Sequence, residues 1–141
     1  AEAGRCTAAL SWQRRAVAAA PDVAAYRYNL AYLLERTGRD TEAEAEFREA
    51  LRRAPQLDLA WHGLGLVLRR QGRPAEALAA AQETTRLQPL SPHGWVELAG
   101  LCRELDRHDE AEAACTRLQS FDPQAARRLR QTWGVPAEEG L

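Results

Sequence analysis

Residues recur every 34 positions along this chain. Leu30-Ala31, Leu64-Gly65 and Leu98-Ala99 are one such step apart, as are Ala43, Ala77 and Ala111, and Pro55, Pro89 and Pro123. Trp61 and Trp95 keep the step, and so do Leu34, Leu68 and Cys102. A fixed period of this length specifies a stack of equivalent supersecondary units, each burying its apolar face on its neighbours. A single globule with one closed core is the wrong frame, and binding becomes the leading function.

Within each period the pattern is helical. Residues 24–37 carry an apolar stripe at Leu30, Ala31 and Leu34. Gly38 breaks it, and Asp40 or Thr41 can cap a second helix running to about Arg53. Ala43, Phe47, Ala50 and Leu51 form the buried face of that helix, and Pro55 ends the unit. The next unit has helices at 59–71 and 74–87, with Pro74 in a first turn where proline is tolerated. The third has them at 92–105 and 109–121, with Asp106 where the others have glycine, which predicts a less relaxed turn.

The second unit reads Trp61-x-x-Leu64-Gly65-x-x-Leu68, then Ala77, Ala81 and Pro89. This resembles the tetratricopeptide repeat, and three copies, at 24–57, 58–91 and 92–125, carry the resemblance. It implies an all-α fold, a right-handed superhelical solenoid of antiparallel helix pairs. Leu or Cys stands for the family's Tyr at 34, 68 and 102, and Thr84 for its small Ala, departures expected to loosen packing locally.

The period extends toward the N-terminus, where Ala9, Ala16 and Pro21 lie one step before Ala43, Ala50 and Pro55. Residues 6–22 are therefore read as a partial repeat, the second helix of a unit. Its face at Ala9, Trp12, Ala16 and Ala20 lacks part of a partner, which offers an N-terminal interface or marks a segment of a longer solenoid. The absence of methionine also points to a processed chain or a segment. Ala125, Leu129 and Trp133 share one face of a polar-backed capping helix at 125–133, followed by a tail at 134–141.

Composition narrows the partner. The formal net charge is −1, which argues against nucleic acid as the ligand, since phosphate neutralisation needs a basic excess. No apolar run approaches the roughly 20 residues of a membrane span. The 19 basic side chains are all arginine, whose planar donor fork suits carboxylates.

In the family, first helices of successive units line a concave groove that takes ligands. At about 100° per residue, Tyr28, Tyr32 and Glu35 flank the first core stripe, with Asn29 and Arg36 beyond. One period on come His62, Gly63, Leu66, Arg69 and Arg70, and then Val96, Glu97, Gly100, Arg103 and Glu104. Aromatic and aliphatic surface edged by guanidiniums suits a protein or peptide with apolar side chains and a carboxylate. The competing reading pairs these arginines with Glu35, Glu97 and Glu104. The Lys/Asn/Arg clamp by which a subgroup of the family grips acidic tails is not reproduced, because Gly63 and Glu97 follow Asn29. An asparagine ladder is missing for the same reason.

Catalytic chemistry, cofactors and metals are not expected. His62, His93 and His108 have no ligand spacing, and no Cys/His dyad or phosphate loop is present. Cys102 and Cys115 read as small buried hydrophobes, with a disulfide the alternative, and Cys6 as an exposed thiol. No signal peptide is visible, and either a bacterial cytoplasm or a periplasm fits. The expectation is a non-catalytic interaction adaptor. The alternatives are a self-associating assembly module using the N-terminal face, or a regulatory fragment of a larger enzyme.

Overall fold

The computed structural model describes residues 2–134. They form α1 (Glu2–Ala19), α2 (Ala24–Arg36), α3 (Asp40–Arg53), α4 (Asp58–Arg70), α5 (Pro74–Leu87), α6 (Pro92–Glu104), α7 (His108–Gln119) and α8 (Pro123–Thr132). No strand occurs among the described residues. The chain divides into two compact units, one up to Ala80 and one from Ala81, with the boundary inside α5.

The turn within each repeat is a Schellman ending. In the first, the N–H of Arg39 donates to the Leu34 carbonyl at 2.9 Å and that of Gly38 to Glu35 at 3.1 Å. Arg73 to Leu68 and Gly72 to Arg69 repeat the pair, and so do Arg107 to Cys102 and Asp106 to Arg103. The motif needs a left-handed residue, and Gly38 and Gly72 supply it at φ 79° and 73°. Asp106 is driven to φ 58° all the same, the only non-glycine residue with positive φ among those described. The strain expected from the sequence is there, because a Cβ in this region crowds the backbone.

A second device joins successive repeats. The indole N–H of Trp61 donates to the Pro55 carbonyl at 2.8 Å, and that of Trp95 to Pro89 at 2.8 Å. One period earlier Arg27 takes the same place and donates through Nε to the Pro21 carbonyl at 3.3 Å. Proline stops one helix, and its free carbonyl anchors the start of the next.

In the first unit the core is Leu30, Ala31 and Leu34 of α2 with Ala43, Phe47, Ala50 and Leu51 of α3, and Ala60, Leu64, Val67 and Leu68 of α4. Leu10 and Val17 of α1 join it. In the second unit Ala99, Ala114, Cys115, Leu118, Ala125, Ala126 and Leu129 form a cluster edged by Trp95, Leu98, Phe121 and Trp133. Each leucine taken fully out of water contributes about 1.5–3 kcal/mol before entropy is counted.

Several expectations need adjustment. Neither Asp40 nor Thr41 caps α3: its N-cap is Arg39, which makes no side-chain cap bond, and Asp40 is the first helical residue. The C-terminal helix begins at Pro123, two residues earlier than expected, because Asp122 caps it by accepting from the Ala125 N–H at 3.0 Å. The N-terminal helix starts at Glu2, so it exceeds the length expected for a half repeat. Thr84 is buried, and Gly94 gives it room, since a Cβ at 94 would come within 3.1 Å of its methyl. Residues 135–141 of the expected tail and the Cys6 side chain lie outside the described residues.

Candidate functional site

α2 and α4 pack side by side in the first unit, and the face they share carries most of the side chains expected to line a groove. Tyr28 is half-buried at its base. Its ring packs against Phe47 with centroids 6.0 Å apart and stacks on Tyr32 at 6.3 Å and 27°. Burial pushes the Tyr28 phenol upward, helped by Tyr32 and by the negative charge of Asp58 and Glu35. It therefore stays a neutral donor and acceptor throughout the physiological range. Tyr32 is 45% exposed, and the Arg36 guanidinium lies 5.9 Å from its ring centre, within cation–π reach. Asn29 is exposed beside them, and His62, Leu66 and Arg69 of α4 are half-buried.

Phe47 explains why α4 has glycine on this face. A Cβ at Gly63 would fall 2.6 Å from the ring edge at Cε1 and closer still to Cζ, so the ring occupies the space a side chain would need. In the third repeat the corresponding Glu97 is buried, at 6% exposure. Of the three positions 29, 63 and 97, only Asn29 offers a side chain to solvent. The absence of a clamp or ladder is thus a packing fact as well as a difference in residue type.

Two of the expected contact arginines are engaged within the chain. Arg70 donates to Glu35 Oε1 at 2.9 Å, to the Glu35 carbonyl at 3.2 Å and to Asp40 Oδ1 at 2.5 Å, tying α4 to the turn between α2 and α3. Arg103 donates to the Trp133 carbonyl at 3.3 Å, and its guanidinium lies 4.8 Å from the indole centre, holding the end of α8 to α6. The arginine–glutamate pairing weighed from the sequence is therefore realised at Arg70 with Glu35, while Asp40 was not foreseen. Its acidic place in the first turn of α3 was the signal.

The opposite helices carry a lattice of ion pairs. Glu44 lies between Arg48 at 2.9 Å and Arg73 at 2.6 Å, and Arg73 also pairs with Glu76. Burial works against the Glu44 carboxylate, but the hydrogen bonds from Arg73 and Arg48 outweigh it and hold its pKa below the ordinary value.

Among the remaining candidates, His93 and His108 are exposed at helix starts. Among the described residues no group of three His, Cys, Asp or Glu could hold a metal ion. Cys102 and Cys115 are buried free thiols, and burial pushes both upward in pKa. No helix among the described residues is long and apolar enough to cross a membrane.

Comparison with known proteins agrees with this geometry. One tetratricopeptide repeat family model matches residues 22–89 and another residues 62–126. The chain is a tetratricopeptide repeat protein. No curated protein matches it by sequence. Among solved structures it is similar to MamA, with a TM-score of 0.82 at 16% identity over 95% of this chain and 82% of that one. It is also similar to YrrB, described as a tetratricopeptide protein with an unusual peptide-binding site, with a TM-score of 0.77 at 19% identity over 94% and 72%. A thermophilic tetratricopeptide protein of Thermus thermophilus follows, with a TM-score of 0.71 at 21% identity over 94% and 77%. Identities this low speak for the fold alone. The family's repeats are protein-interaction modules, and the α2–α4 face of this chain is built accordingly.

Proposed function

We propose that this chain is a non-catalytic protein–protein interaction adaptor, holding an extended or helical peptide segment of a partner against the α2–α4 face. The observation that carries the reading is Tyr32, an aromatic ring left largely exposed on that face between a stacked tyrosine and a stacked guanidinium. Aromatic and arginine side chains dominate binding energy at interfaces, because they bury large area at low entropic cost. Asn29 and His62 supply polar anchors, Leu66 apolar surface, and Arg36 and Arg69 the charge that suits an acidic group. Arg70 and Arg103 support this face from within the chain, and the peptide-binding description of YrrB is consistent with the reading.

The test is to select binders from a combinatorial peptide library and measure them by fluorescence anisotropy against the whole chain and its Tyr32→Ala variant. Loss of one hot-spot ring is expected to cost at least about 1 kcal/mol, roughly fivefold in Kd. Selected peptides that bind both proteins equally would remove this face from consideration.

A further inference from the structure

Trp12 is the largest exposed aromatic of the chain, at 67% exposure, and it stands on the side of α1 turned away from the core. Leu10 and Val17 bury α1 against the rest of the first unit. At about 100° per residue, Trp12 lies nearly opposite them, with Arg5, Ala9, Arg15 and Ala16 around it. The Arg15 guanidinium lies 5.3 Å from the indole centre.

The repeat itself says what belongs on this face. Ala9 and Ala16 are equivalent to Ala43 and Ala50 of α3, both 0% exposed beneath the antiparallel α2 and its neighbour α4. In α1 the same alanines are only half-buried. The small residues are in place to admit a helix at close range, and the face is shaped for one lying antiparallel.

Charge chooses among helices. α1 carries three arginines, Arg5, Arg14 and Arg15, against the single acid Glu2. Arg14 is held by Glu42 at 3.0 Å, while the open flank continues through Arg15 to the exposed Arg39 across a shallow depression. A second α1 would bring arginine against arginine. The outer side of α8 is no better a partner, because its charged residues are Arg127, Arg128 and Arg130 with no acid. Both comparisons disfavour another copy of this chain, since like charges brought together across an interface oppose association.

We infer that the outward face of α1 docks an acidic amphipathic helix of a partner protein. The helix lies antiparallel over Ala9 and Ala16, seats an apolar side chain on Trp12, and sets carboxylates against Arg5 and Arg15. This site is separate from the α2–α4 face, so each can fail without the other.

The probe is a fluorescein-labelled helical peptide that keeps the apolar spacing of Trp61, Leu64, Gly65 and Leu68 and carries glutamates on its flanks. A control peptide replaces the glutamates by glutamines. Anisotropy is read with the full chain. Trp12→Ala is expected to weaken the glutamate peptide about tenfold, as loss of a central aromatic anchor does. Arg5→Glu with Arg15→Glu is expected to weaken it at least as much, and the glutamine peptide to bind more weakly with a flatter salt dependence. Tyr32→Ala leaves binding unchanged. Unaltered helicity by circular dichroism shows that the variants remain folded. Equal binding to Trp12→Ala and wild type overturns the inference, as does no binding of the glutamate peptide up to about millimolar concentration. Self-association of the chain that disappears with Trp12→Ala also overturns it, by making a second copy the occupant.

Discussion

α1 and α3 are the same helix of the repeat in two situations. Ala9, Trp12, Gln13, Ala16 and Val17 stand one period before Ala43, Glu46, Phe47, Ala50 and Leu51. In α3 the two alanines and Phe47 are sealed between α2 and α4, and Glu46 takes the Arg27 guanidinium at 3.0 Å. In α1 the alanines stay half-open and Trp12 faces solvent. The alanine spacing is the same in both, so what differs is whether a helix lies over the face. A repeat position acquires its energy from its neighbours, and an open position becomes available to a partner.

The sharpest way to break the comparison is at its centre. Phe47→Ala empties a sealed site and is expected to cost about 3–5 kcal/mol, whereas Gln13→Ala at the equivalent site of α1 should stay within about 0.5 kcal/mol. Urea midpoints of the two variants measure both. Equal losses would mean that α1 is as enclosed as α3.

A smaller effect tests why Phe47 fits. Gly63→Ala drives a Cβ into the Phe47 ring. The overpacking, about 1–3 kcal/mol, exceeds the roughly 1 kcal/mol that alanine gains over glycine in a helix, so a net destabilisation is expected. In a Phe47→Ala background the clash is gone and Gly63→Ala should become neutral or stabilising. A double-mutant cycle reads that change of sign.

The smallest effect is electrostatic. Hydrogen bonds from Arg53 and Arg52 hold Glu49 below the ordinary carboxylate value, and those from Arg73 and Arg48 do so for Glu44. Carboxylates with a depressed folded pKa stabilise fully above their unfolded value, 4.5, and lose that contribution as pH falls through the folded one. The equivalent residues of α1, Leu10 and Arg15, do not titrate there. Glu44→Gln is therefore expected to flatten the acid limb of the urea midpoint against pH, and Arg15→Gln to leave it unchanged.

Much of this was legible before any coordinates. Gly38, Gly72 and Asp106 mark turns whose hydrogen bonds are local, and the three helix-ending prolines need no distant partner to act. The helix pairs therefore follow from short-range rules. The face holding Tyr28, Tyr32, His62 and Leu66 was also readable, since helical angle and repeat register suffice to place it. The engagement of Arg70 with Glu35 and Asp40 was only half visible, because a long side chain chooses among acids that the fold brings within reach. The intrusion of Phe47 at Gly63 was not visible at all. It depends on a ring from one helix entering a gap on another, which no single periodicity encodes.

The sequence by itself determined the architecture, because a 34-residue period with glycine and proline at constant places allows only a stack of helix pairs. Tertiary structure alone decided which equivalent residues differ in fate. Ala43 is sealed while Ala9 stays open, Glu97 is buried while Asn29 is exposed, and Arg70 is spent within the chain. The physical reason is that burial and ion pairing belong to the space between helices, and that space depends on every neighbour present.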